Sequence, residues 1–144
     1  MLQRASINPE AIETDEFSRS APETLVLARR LFFRLMDLWG VQPEQGRALI
    51  QVEPARYVEL KSGRGAPFTD EQVERVSYLL GIFKALQVLL PNKDRADLWV
   101  KEPNERFGGR TALDFMCEGS LERMAQVRRY LDHERGGTSA ARSL

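Results

Sequence analysis

The chain has 144 residues, 42% of them apolar and 29% charged, the make-up of one globular domain or of two small lobes sharing a core. No apolar run approaches the roughly 20 residues needed to cross a bilayer, and the polar, acidic start is not the pattern of a secretory signal, so a cytoplasmic protein is expected. Lys plus Arg and Asp plus Glu both number 21, with one His and one Cys, which argues against a polybasic nucleic-acid binder, a disulfide scaffold and a zinc site.

Charge is unevenly placed. Residues 1–23 carry a net −3, residues 24–64 a net +3, residues 65–105 a net −2 and residues 106–144 a net +2. Seventeen of the basic residues are Arg and four are Lys. Arg suits bidentate contacts to carboxylate or phosphate, although a GC-rich genome produces the same bias.

Residues 1–22 hold few large apolar groups and read as a mobile, acidic arm. From Leu25 to Trp39, apolar residues recur at offsets of three and four, the spacing of a helix with one buried face. Gly40 stands at its stop position. Pro43 and Pro54 each suit a first helical position and open two short helices, Pro43–Ile50 and Pro54–Ser62. On the second, Val58 and Leu60 are placed inward. Thr69-Asp70-Glu71-Gln72 matches a capping box and opens a long helix to about Leu90. A further helix carries Ala96, Leu98 and Trp99. After the loop Glu102–Arg110, Thr111 caps a short helix, and Ser120 caps the last one, whose apolar side is Leu121, Met124, Val127 and Leu131. Thr138 to Leu144 is a Ser/Ala/Arg-rich tail. No segment alternates as a strand would, so the expected fold is all-α, with about seven helices and no internal repeat.

Two constellations stand out. Val41–Gly63 has the length of a helix–turn–helix, whose second helix enters the major groove of DNA. Gly46 would allow close helix approach, and Val52 would plug the turn. Ala55, Arg56, Glu59 and Tyr57 would face outward, with Arg56 able to read a guanine edge and Lys61 and Arg64 able to hold phosphates. Arg47 completes the DNA-facing set. The plain alternative is an ordinary helical hairpin: Gln51 replaces the Gly usual in this turn, and Glu53 and Glu59 would repel phosphate.

The second constellation is Trp99 to Gly109, a large aromatic followed by Pro-Asn and Phe-Gly-Gly. Gly108 and Gly109 permit positive φ, and the helix start after Arg110 could hold an anion. The alternative is a structured connector with Trp99 and Phe107 plugged into the core. Catalysis has little to build on. His133 reads as a solvated residue near a helix end, Cys117 as packed, and the pairs Asp15/Glu16 and Asp70/Glu71 lie in an arm and at a helix start. The chain is therefore not read as an enzyme, and no cofactor is expected.

The run from Asp97 to Met116, with Trp99, Pro103-Asn104, Gly108-Gly109 and the Ala112-Leu113-Asp114 helix start, resembles the toxin-binding domain of the Xre/MbcA/ParS antitoxin family. Gly119, the amphipathic stretch Leu121–Leu131 and the upstream helix Leu79–Leu86 fit the same pattern, and the likeness runs over roughly residues 25–137. Ala112 stands where the family usually has Pro. The resemblance implies a type II antitoxin that covers the active site of a RES-domain toxin degrading NAD⁺, and an Xre-like helix–turn–helix that represses the operon as a homodimer or within a larger toxin complex. It implies an arm at 1–22, a DNA-binding lobe at 23–68, a toxin-binding lobe at 69–137 and a tail at 138–144. The toxin-facing residues would be Asn104, Phe107, Gly108, Gly109, Arg110, Arg135 and Arg142. A stand-alone transcription regulator without a toxin partner is the rival reading.

Overall fold

The computed structural model describes residues 22–136. The expected tail at 138–144, and the expected arm apart from Pro22, lie outside the described residues. Among the described residues seven α-helices follow one another: α1 (Pro22–Trp39), α2 (Pro43–Ile50), α3 (Pro54–Lys61), α4 (Asp70–Leu89), α5 (Lys93–Leu98), α6 (Ala112–Cys117) and α7 (Leu121–Gly136). Short 3₁₀ turns at Trp99–Lys101 and Glu105–Phe107 lie between α5 and α6. The only strand-like pairing among the described residues is an isolated bridge between Pro103 and Thr111, so the fold is all-α as expected.

The helix ends follow local chemistry. Gly40 takes φ +66°, and the Val41 N–H reaches back to the Met36 carbonyl at 2.9 Å, closing α1. Thr69 caps α4: the Gln72 N–H donates to its hydroxyl at 3.2 Å, and the Thr69 N–H donates to the Gln72 side chain at 2.9 Å. Asn92 and Thr111 cap α5 and α6 in the same manner, accepting from Arg95 N and Asp114 N at 3.0 Å each. The turn between α2 and α3 is closed by Gln51, which has φ +56° and is the one non-glycine residue at positive φ among those described. Its side chain donates to the Gly119 carbonyl at 2.6 Å, a bond that helps offset the left-handed backbone.

The centre of the molecule is α4. Val73, Val76, Leu79, Leu80, Ile82, Phe83, Ala85 and Leu86 are all buried, covering most of its circumference, as a helix enclosed by others requires. Its longest contact is with α7, and α1 packs along another side. At Gly81 the Arg128 side chain of α7 passes close over the α4 backbone. The buried side chains form one continuous cluster from Ala28 of α1 to Leu131 of α7.

One face is turned relative to expectation. Val58, placed inward from sequence, is 59% exposed, while Tyr57, placed among the outward residues, is only 6% exposed. The reason lies in neighbours remote in sequence. The Tyr57 ring meets Phe33 edge-on at 5.2 Å and Phe32 at 6.3 Å, and its hydroxyl end lies over Gly46, where a side chain would collide with it. Tyr57 and Leu60, three residues apart, form the buried side of α3. Leu98, grouped with Ala96 and Trp99 in the sequence, is also exposed, whereas those two are buried.

Candidate functional site

The loop between α5 and α6 is built around Asn104. Its backbone carbonyl accepts from the N–H groups of Phe107 and Gly109, both at 3.0 Å, its own N–H donates to the Arg110 carbonyl at 3.0 Å, and its side chain accepts from Arg106 N at 2.9 Å. Such a turn needs left-handed backbone at its tip, where Gly108 has φ +70° and Gly109 φ +83°, both exposed. Asn104 thus organises the loop, and the two glycines form its bare apex.

Beneath the apex lies an aromatic cluster. Phe107 is buried; its ring lies 5.0 Å from Phe115, 6.1 Å from Tyr130 and 6.2 Å from Trp99. Trp99 and Tyr130 stack at 6.3 Å. The cluster joins the loop, α6 and α7 into one unit, and arginines cover its outer side. Arg106 sits 4.5 Å over the Tyr130 ring, and Arg123 and Arg110 sit 4.5 Å and 5.6 Å from the Phe115 ring. Glu118 holds both of the latter, pairing with Arg110 and, at 3.0 Å, with Arg123. Burial, followed by the negative charge of Glu134, raises the Tyr130 phenol above its ordinary range, and Arg106 counters part of that rise.

Of the sequence-predicted toxin-facing residues, the structure brings Asn104, Phe107, Gly108, Gly109 and Arg110 together in this loop. Arg135 lies apart, in the last turn of α7, 3.9 Å from Asp132. Arg142 falls outside the described residues. Tyr130, Phe115, Arg106, Arg123 and Arg129 were not singled out from the sequence. For Arg129 and Tyr130 the one signal is the spacing Gln126, Arg129, Tyr130 on the final helix, offsets of three and four that mark one face.

The DNA-facing set is distributed differently. Arg47 donates to the Val52 carbonyl at 3.3 Å and so props the α2–α3 turn. Arg56 donates to the Ala66 carbonyl and, at 3.2 Å, to the Pro67 carbonyl, with Glu59 at 4.0 Å. Tyr57 is in the core. Lys61 and Arg64 are exposed at the end of α3, with Arg64 Nε 3.2 Å from the Ser62 hydroxyl.

A buried arginine with no marker in the sequence ties α4 to α2 and to the turn between α6 and α7. Arg75 of α4 is 3% exposed; it donates to the Leu49 carbonyl of α2 at 3.3 Å and to the Gly119 carbonyl at 2.7 Å, and pairs with Glu71 at 3.0 Å. The Gly119 carbonyl therefore accepts from both Arg75 and Gln51. Nearby, the Cys117 thiol donates to the Gln45 carbonyl at 3.5 Å and is pushed up to about 11 by burial and then by the charge of Asp114. His133 is exposed. No group of three or more His, Cys, Asp or Glu among the described residues could hold a metal ion, and no helix among them is long and apolar enough to cross a membrane.

Comparison with known proteins bears on the loop and the final helix. Residues 85–137 match the antitoxin Xre/MbcA/ParS C-terminal toxin-binding domain. The uncharacterized protein y4oB of Sinorhizobium fredii is 38% identical over 107 residues, covering 74% of this chain and 82% of its own length. Among solved structures, a chain of the M. tuberculosis MbcT–MbcA toxin–antitoxin complex shares the fold with a TM-score of 0.52 at 19% identity, over 83% of this chain and 96% of its own. The matched segment takes in the Asn104 loop, its aromatic cluster and all of α7, and the chain belongs to the Xre/MbcA/ParS antitoxin family.

Proposed function

We propose that the chain is the antitoxin of a type II system whose partner is a RES-domain toxin that degrades NAD⁺, and that it acts by covering the toxin's active site. The observation that carries this reading is the surface at residues 99–130: an exposed glycine apex on an aromatic cluster, rimmed by arginines, within the segment that matches the family's toxin-binding domain. Arg and aromatic residues on a preorganised base are the usual anchors of protein interfaces. Neutralisation is steric and needs no chemistry from this chain. The test is co-expression with the product of the neighbouring gene, reading complex formation, growth and cellular NAD⁺. Growth restored together with NAD⁺ supports the reading; a partner that leaves NAD⁺ intact when expressed alone refutes the NAD-degrading assignment.

We further propose that residues 23–68 serve as a DNA-binding lobe that represses the operon, with 69–137 as the toxin-binding lobe. The short helices α2 and α3, meeting at Gly46, support it, as do the exposed Lys61 and Arg64. Since the net charge is zero, two copies of the lobe are needed for useful affinity, as a homodimer or within the toxin complex. A gel-shift series with the operon promoter at low salt, with and without toxin, tests this; no shift in either case refutes it.

A further inference from the structure

Beside the Asn104 loop an open cavity of about 330 Å³ is lined by Arg106, Phe107, Phe115, Gln126, Arg129 and Tyr130. Its lining contains two guanidinium groups, three aromatic rings and no carboxylate. Arg106 lies over the Tyr130 ring, its guanidinium carbon 4.5 Å from the ring centre. The Arg129 side chain is 63% exposed, and one of its terminal nitrogens bonds Glu122 at 2.6 Å. Each guanidinium carries five N–H donors in a planar fork, so a single contact of this kind orients Arg129 without exhausting it. The arrangement joins an apolar floor to a cationic rim, complementary to a short aliphatic stem ending in an anion. The cavity is shallow, so its occupant enters from a surface laid across α6, α7 and the loop.

We propose that this cavity receives an Asp or Glu side chain of the toxin, the carboxylate held between Arg106 and Arg129 and the stem lying on Phe115 and Tyr130. The proposal rests on the toxin-binding reading above and adds to it the chemistry of one partner contact. Charge complementarity selects an acidic side chain over an apolar one, because an apolar knob would strip water from two guanidinium groups and return no hydrogen bond.

The experiment uses full-length antitoxin and its toxin, with the dissociation constant measured by calorimetry at low and high salt. Arg129→Gln, Arg106→Gln and the double variant are compared with wild type. The double variant is expected to bind about tenfold or more weakly and to lose much of the salt dependence, and Arg129→Glu more weakly still. Thermal melting accompanies each measurement; Arg129 is exposed, so its variants keep the wild-type midpoint and any loss of affinity is local. Arg129→Lys, which keeps charge but not the fork, is expected to fall between wild type and Arg129→Gln. If wild type binds toxin and the double variant binds within about twofold of it, the cavity contact is wrong and the toxin-binding reading stands. If wild type binds no toxin, both fall. If the variants lose affinity for operator DNA and keep it for toxin, the two arginines are phosphate contacts and the proposal is overturned.

Discussion

Gly46 and Gly81 both sit inside helices, and the structure assigns Gly→Ala opposite outcomes at the two. Ala is worth about 1 kcal/mol over Gly in a helix interior. At Gly46 an added Cβ would lie 2.9 Å from Tyr57 Cζ and 3.3 Å from its Cε1, with the hydroxyl closer still. Tyr57 cannot withdraw, because its ring is wedged against Phe33 and Phe32. Overpacking of a rigid core typically costs about 1–3 kcal/mol, so against the about 1 kcal/mol gained in propensity Gly46→Ala destabilises by up to about 2 kcal/mol net. At Gly81 the Cβ would meet the guanidinium end of Arg128, with Cζ at 2.7 Å and Cδ at 3.4 Å. That end is flexible and partly exposed. Moving it gives up part of its pair with Asp132, about 0–1 kcal/mol for a surface pair, so the gain in propensity leaves Gly81→Ala between neutral and about 1 kcal/mol stabilising. Urea and thermal unfolding of both variants beside wild type measure this. Tyr57→Phe added to Gly46→Ala should recover part of the loss, since the hydroxyl goes but the ring stays. If Gly46→Ala is stabilising, α2 and α3 do not meet through Tyr57 and the geometry of the pair is wrong.

Arg75→Met should cost about 2–4 kcal/mol, because the Leu49 carbonyl loses a charge-assisted donor and Gly119 keeps only Gln51, while Glu71 remains solvated; a chemical-denaturation midpoint equal to wild type would refute the fastening role. The Cys117 thiol, raised from 9.0 to about 11, should be alkylated about a hundredfold more slowly at pH 8 than a free thiol, in line with its smaller thiolate fraction. Because its folded value is the higher one, the stability linked to it is complete below pH 9 and is lost as pH rises through about 11; Cys117→Ala should flatten that part of the alkaline decline. Tyr57, raised to about 12 by burial and then Asp37, acts in the same direction at higher pH. Trp99→Ala should destabilise by about 3–5 kcal/mol, whereas Arg110→Ala, which gives up a surface pair with Glu118, should leave the melting temperature nearly unchanged while weakening toxin binding by about 1 kcal/mol or more. Lys61→Ala and Arg64→Ala should each weaken operator binding evenly across sequences and lower the salt slope by about 1.

The helices themselves were legible in the sequence because their signals are local. Pro43, Pro54, Thr69 and Thr111 mark starts and Gly40 a stop through backbone chemistry that spans four or five residues. The loop from Trp99 to Arg110 stood out for the same reason, since Pro-Asn and Gly-Gly restrict a backbone whatever surrounds it. Which side of a short helix faces inward was not legible. On α3, Val58 and Tyr57 both offer apolar surface, and eight residues hold too few turns for periodicity to choose between them. The choice fell to Phe32, Phe33 and Gly46, brought there from α1 and α2 by the packing of the whole chain. The same holds for Arg75, whose partners lie 26 and 44 residues away. It holds too for the cavity between Arg106 and Arg129, which exists only because α7 lies across the aromatic base of the loop. A buried arginine and an exposed one look alike in a sequence; tertiary contacts decide which of them loses its water.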